Sequence, residues 1–243
     1  MRLFFKSTRA GNCAVATVLG GFLIAVPLSH AQPVLSLGHA DVGVVFADGV
    51  WDLHVHDSEN NVEYEPSEVV LGVGPASAGV VPGAPAFNFL GSAGSAVYTL
   101  PQSQNPNLLF LGLGTEEQAL GVFVNNRLRL TLEDLTGPGH FALYRVDSFG
   151  TPTVLMNSHD GITSGDYVEL TAGSHAHANW AFSTFGEYQL TFRGSGVLDD
   201  GLNTTVQSDL FVYSFSVVPE PGAASLLALG LGVLLWRQRA INH

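Results

Sequence analysis

The sequence predicts an all-β fold, an antiparallel β-sandwich spanning residues 32–218 of a 243-residue chain, with apolar segments at both ends. Three observations predict it. Short runs rich in Val, Phe, Leu and Tyr recur, several with period-two alternation. Clusters of Gly, Pro, Asn and Asp separate them. Between the two ends no long stretch carries a helical period.

The elements follow in chain order. Residues 42–46 and 50–56 read as a hairpin, because Ala47-Asp48-Gly49 between two β-rich runs is a tight-turn signal. In its second strand Trp51, Leu53 and Val55 share the core face, while Asp52, His54 and His56 share a polar, partly wet face. Residues 57–68 are acidic and polar and read as a loop; 69–73 is a short strand. The Gly-, Pro- and Ala-rich stretch 74–85 is a loop, followed by a strand at 97–100, a turn at 101–106 and a buried strand at 108–114. Thr115-Glu-Glu-Gln118 has the form of a helical cap. Residues 128–134 alternate well, 136–140 turn, and 141–146 form a strand. Runs at 154–157, 167–170, 180–182, 186–193 and 210–218 complete the set.

The ends are processing and targeting segments. Arg2, Lys6 and Arg9 precede an apolar stretch at 14–28 and the small residues of Ser29-His30-Ala31, which is the pattern of a signal peptide cut by signal peptidase after residue 31. The single cysteine, Cys13, lies inside it, so the remaining chain forms no disulfide. At the other end Val218-Pro-Glu-Pro221 is followed by an apolar run to Trp236 and then Arg237-Gln-Arg239. That combination resembles the PEP-CTERM sorting signal. The resemblance implies export, recognition and cleavage by an exosortase, and a membrane association through this helix before processing. The destination is the cell envelope, the surface or the outside. The division is therefore 1–31 signal peptide, 32–218 β-domain and 219–243 sorting helix.

Residues 32–218 carry four arginines, no lysine and twenty carboxylates, a formal charge of −16. Such a surface repels phosphate backbones and excludes nucleic acid as a partner. It is compatible with cations.

Two His-x-His pairs stand out, His54/His56 and His175/His177, with His39 in Gly38-His-Ala-Asp41. On a strand, residues two apart project from one face, so each pair presents two imidazoles side by side. Zinc takes imidazole and carboxylate ligands, usually four in a tetrahedron. Two facing pairs could supply four imidazoles, or three with Asp41 or Asp52. Zn is the default cofactor; Cu(II) would bind the same donors more tightly. His140, after Gly-Pro-Gly, is a weaker candidate, while His159-Asp160-Gly161 reads as a turn with no site role. Asp199-Asp-Gly-Leu-Asn203 reads as a turn rather than a calcium loop.

Several segments together resemble the choice-of-anchor M domain and the actinobacterial surface-anchored repeat: Gly38-His-Ala-Asp41, Trp51-Asp-Leu-His-Val-His-Asp57, Pro101-Gln-Ser-Gln104, Leu111-Gly-Leu-Gly-Thr-Glu116, Gly137-Pro-Gly-His-Phe141, Gly173-Ser-His-Ala-His-Ala-Asn-Trp-Ala-Phe182 and Gly186-Glu-Tyr-Gln-Leu-Thr-Phe192. The resemblance implies an exported β domain held at the surface, and its association with metal-type ABC transporters implies a metal transporter as partner.

Enzyme motifs are missing from the sequence. A cupin requires Glu separated from the second His by three or four intervening residues; after His177 those places hold Ala181 and Phe182, and after His56 Glu59 comes one residue early. There is no Gly-x-Ser-x-Gly and no His-Glu-x-x-His. The expectation is a non-catalytic exported domain that binds a divalent metal through His39, His54, His56, His175 and His177. The alternative is a structural or adhesive matrix module that binds glycan or protein.

Overall fold

The computed structural model describes residues 32–219. The expected signal peptide and, beyond Pro219, the sorting helix lie outside the described residues. Among the described residues no helix is long and apolar enough to cross a membrane.

Almost all the regular structure of the described residues is strand, arranged in three sheets. The largest is seven-stranded, in the order β1 (Val34–Leu35), β5 (Val70–Val73), β17 (Phe211–Val217), β15 (Gly186–Leu198), β9 (Phe123–Thr136) and β12 (Tyr167–Thr171), with β16 (Thr205–Gln207) paired to β15. A five-stranded antiparallel sheet runs β11 (Pro152–Asn157), β10 (Phe141–Val146), β14 (Asn179–Phe182), β7 (Ala96–Leu100) and β6 (Ala78–Val80). The third, the histidine sheet, runs β13 (His175–His177), β8 (Phe110–Gly114), β2 (His39–Ala47), β3 (Val50–Asp57) and β4 (Val62–Tyr64).

The expectation of a wholly antiparallel fold is corrected. β1 and β5, β5 and β17, and β2 and β8 pair in parallel. Alternation within a strand fixes which side chains face the core, but not the direction of a neighbour brought in from far along the chain.

One hydrophobic cluster draws on all three sheets. Trp180 and Phe182 of β14 meet Phe192 and Phe215 of the seven-stranded sheet, with centroids 5.2–6.3 Å apart. Trp51 of β3 stacks on Phe123 of β9 at 5.6 Å. The seven-stranded sheet thus packs against both others, and each fully buried side chain of this size stabilises by about 1.5–3 kcal/mol. β14 is buried on both faces, because a second cluster built from Leu90, Val97, Ala142, Tyr144 and Ala181 covers its far side.

The predicted hairpin is β2–β3. Asp48 and Gly49 both take positive φ (51° and 83°), the backbone of a type I′ turn. The stretch 57–68, expected as loop, contains β4 and a 3-10 helix at Pro66–Glu68. Thr115–Gln118 forms a turn rather than a helical start. The Thr115 hydroxyl donates to the Thr171 carbonyl at 2.6 Å, and backbone bonds join Thr115 to Gly173 and Ser174. These bonds pin the end of β8 to the segment that opens β13.

Candidate metal centre

The histidine sheet has one greasy face and one polar face, set by strand parity. Ala40, Val42, Val44, Leu53, Val55, Leu111 and Leu113 are buried in the core. The intervening residues point the other way, and the register arranges them in rows. One row runs His177, Gly112, Asp41, His56 and Glu63; its neighbour runs His175, Gly114, Gly43 and His54. His39 lies opposite Phe110 in the next row.

The glycines make room for the polar side chains. A Cβ on Gly112 would overlap Asp41 Oδ1 and lie 2.9 Å from His175 Nε2 and 3.1 Å from His177 Cε1. A Cβ on Gly43 would lie 2.6 Å from His54 Cε1. The alternation Leu111-Gly-Leu-Gly114 therefore has a physical reading, leucine into the core and bare backbone beneath the imidazoles.

Over this floor three imidazoles converge. One ring nitrogen each of His39, His175 and His177 lies within 4.8 Å of the others. His175 Nε2 and His177 Nε2 are 2.8 Å apart. Asp41 reaches into the same space, with Oδ2 at 3.5 Å from His39 Nε2 and Oδ1 at 3.4 Å from His175 Nε2. Four donors at zinc distances of about 2.0–2.1 Å in a tetrahedron are separated by roughly 3.3 Å, so the Asp41 contacts already match and the His175–His177 pair would spread by about half an ångström.

The other side of two rings is also held. His175 Nδ1 meets Glu116 Oε1 at 2.6 Å, and His177 Nδ1 faces the Leu111 carbonyl at 3.3 Å. Both partners can only accept, so each Nδ1 carries the hydrogen and each Nε2 turns inward. His177 also stacks on Phe110 at 3.5 Å, with planes 10° apart. An imidazole fixed through its outer nitrogen is the usual support for a metal ligand.

With both outer nitrogens donating, two Nε2 lone pairs oppose each other at 2.8 Å. A cation held between them relieves that opposition. Beside them, His39 Nε2 and Asp41 Oδ1 are buried without a hydrogen-bond partner. A cation among the four would engage every one of them.

The electrostatics agree with this. Burial pushes the His177 imidazole down to about 4, further than the Leu111 carbonyl raises it, so the ring is neutral near pH 7. Burial raises the Asp41 carboxyl, against the lowering effect of His39 and His175. Asp41 is only 6% exposed, and its desolvated charge needs a positive neighbour.

Of the five histidines singled out in the sequence, the structure brings His39, His175 and His177 together, with Asp41 as the carboxylate. His54 and His56 lie on the same face but not in this cluster. The two His-x-His strands do not face each other; they belong to one sheet, with β8 and β2 between them. His54 is buried rather than wet, its ring filling the space over Gly43. His56 Nδ1 lies 3.8 Å from Glu63. His140 instead packs edge-on against His159 at 4.5 Å, and Asp200 accepts from the Leu202 and Thr204 amides in a turn. Sequence reasoning missed Glu116, the Leu111 carbonyl and Phe110. The alternating glycines were the available signal.

His39, Asp41, His175 and Glu116 line a cleft of about 280 Å³ that also takes in His54, His56, Thr115 and Glu117. β17, the last strand among the described residues, ends at Val217. Residues 217–240 match the family described as the PEP-CTERM protein-sorting motif. No curated protein matches the chain. The protein therefore carries, from the end of β17 onward, the signal of an exported, surface-sorted protein recognised by exosortase.

Proposed function

We propose that the exported domain binds a divalent transition-metal ion, Zn²⁺ by default, through His39, Asp41, His175 and His177. The observation that carries this reading is the convergence of three imidazole nitrogens on Asp41, with His39 Nε2 and Asp41 Oδ1 buried and unpartnered. Four protein ligands fill a tetrahedral sphere and leave no place for a reacting water, which favours holding or handing over an ion rather than catalysis. Buffering zinc at the envelope, or delivering it to a metal transporter, fits a site at the surface of a single domain. The likeness of residues 32–218 to the choice-of-anchor M domain supports the same reading. The segments that carry the likeness include Gly38–Asp41, Leu111–Glu116 and Gly173–Phe182, which supply all four ligands, the Glu116 support and the Gly112 floor.

The test is metal analysis of the purified full-length chain, stripped with chelator and reloaded. A first equivalent of zinc bound tightly, and lost in His175→Ala plus His177→Ala, is expected. Tight binding that survives the double substitution, or no stoichiometric binding at all, contradicts the proposal.

A second reading, adhesion to acidic matrix glycan, draws on the outer face of the seven-stranded sheet. There Arg127, Arg129 and Arg193 gather three of the domain's four arginines, and Arg129 lies 4.2 Å over the Tyr167 ring. Each of the three also contacts a carboxylate, Glu169 or Glu133. Retention on an alginate column that drops in Arg127→Ala plus Arg129→Ala supports it; no retention in low salt contradicts it.

A further inference from the structure

The same polar face holds a second group of donors. One ring nitrogen of His54 and one carboxylate oxygen each of Glu63 and Glu117 lie within 4.8 Å of one another. Exposed carboxylates gather without a ligand on many acidic surfaces, so the two glutamates alone carry little. His54 changes that. Its side chain is only 8% exposed, and its Nδ1 is buried without a hydrogen-bond partner, with Asp52 Oδ2 at 3.4 Å. The ring is held over Gly43, where any side chain would collide with it. A desolvated imidazole, fixed in place and facing two carboxylates, is built to meet a cation.

The chain delivers these donors from three directions. His54 stands on β3, Glu63 on the neighbouring β4 and Glu117 in the turn after β8. Glu116 and Glu117 are consecutive, yet they serve different histidines. Glu116 supports His175, while Glu117 joins His54. His56 adds a further imidazole, its Nδ1 3.8 Å from Glu63. The turn that Thr115 anchors therefore spans two groups of ligands in one cleft.

We infer that His54, Glu63 and Glu117 form a second divalent-cation site beside the three-histidine centre, weaker and more open. Two carboxylates balance a 2+ charge, as Asp41 and Glu116 do for the first site. With three protein ligands and both glutamates exposed, the second ion keeps water in its coordination sphere and exchanges quickly. Because His54 and Glu117 line the same cleft as His39, Asp41 and His175, the site suits a landing position from which an ion passes to the three histidines. That last role rests on the metal reading of the first site; the second site itself does not.

Equilibrium dialysis of the full-length chain against Zn²⁺ separates the two. Two equivalents are expected, one tight and one at least tenfold weaker. Glu63→Gln plus Glu117→Gln, both on exposed side chains that leave folding intact, removes only the weaker equivalent. His54→Asn does the same. His175→Ala plus His177→Ala removes only the tighter one. A single equivalent in the wild type that survives Glu63→Gln plus Glu117→Gln overturns the second site and leaves the first standing. A single equivalent that survives the loss of His175 and His177 but not of the two glutamates overturns the first and leaves the second. Two equivalents in the glutamate variant overturn the second site as assigned.

Discussion

Gly112→Ala tests whether the bare floor beneath the histidines exists for a metal. The added methyl would overlap Asp41 Oδ1 and lie 2.9 Å from His175 Nε2. Ordinary contact begins near 3.4 Å, so these side chains must move by half an ångström to more than one. Metal–ligand bonds tolerate about 0.2 Å, so at least one ligand is lost. Losing even an outer partner of a ligand costs 10–100-fold in affinity; losing a ligand should cost at least about 100-fold, or roughly 2.7 kcal/mol. Folding should suffer far less, because alanine in a strand interior recovers roughly 0.5–1 kcal/mol relative to glycine, and the displaced groups border an open cleft. Gly83→Ala is the control, since its Cβ would meet nothing within 4 Å. Zinc affinity is read by competition with a chromogenic chelator, and folding by thermal melting of the metal-free chain. Unchanged affinity in Gly112→Ala, or equal losses of affinity and metal-free stability, would refute the reasoning.

Three further outcomes are expected. Glu116→Gln weakens the grip on the His175 Nδ1–H, so zinc affinity falls about 10–100-fold with the stoichiometry of the tight site unchanged; competition titration checks it. Asp41→Asn removes a buried charge whose carboxyl is pushed upward by desolvation, so the metal-free variant melts higher than wild type at pH 7 yet gains nothing from zinc. A melt series with and without metal reads both effects. The pH dependence follows from His177, whose folded value of about 4 lies below the ordinary 6.5. Its contribution to metal-free stability is intact above about 6.5 and lost as pH falls through 4. Asp41 acts in the opposite sense, its penalty growing as pH rises through its raised folded value. Replacing His177 with Gln should flatten the acid side of the melting curve; an unchanged slope would remove His177 from the account.

Much of the fold was legible in the sequence, for local reasons. The β2–β3 hairpin followed from Asp48-Gly49, and β10 was bounded correctly because the Gly-Pro-Gly turn precedes an apolar run. Strands of two or three residues, such as β1, β4, β6 and β16, are too short to show a period. The stretch 173–182 carries two strands, β13 and β14, in different sheets. The switch at Ala178 leaves no chemical mark, since alanine suits either. For the site, the face carrying His39, Asp41, His175 and His177 could be anticipated from alternation. Which of the five histidines meet depended on register, and in particular on the parallel pairing of β2 with β8. That pairing places His39 and Asp41 one strand from Gly112 and two from His177. His54 was expected to be wet because its neighbours on β3 are polar; its burial comes from Gly43 across the ladder, a pairing that required the register. Glu116 and Glu117 lie in a turn, where spacing says nothing about direction.

The central claim is that three imidazoles and one carboxylate hold a single ion. Zinc K-edge X-ray absorption of the full-length chain loaded with one equivalent addresses it directly. The expected spectrum has four light-atom neighbours at about 2.0–2.1 Å, with the outer-shell scattering of three imidazoles. A shell dominated by oxygen, or the scattering of one imidazole or none, would contradict it.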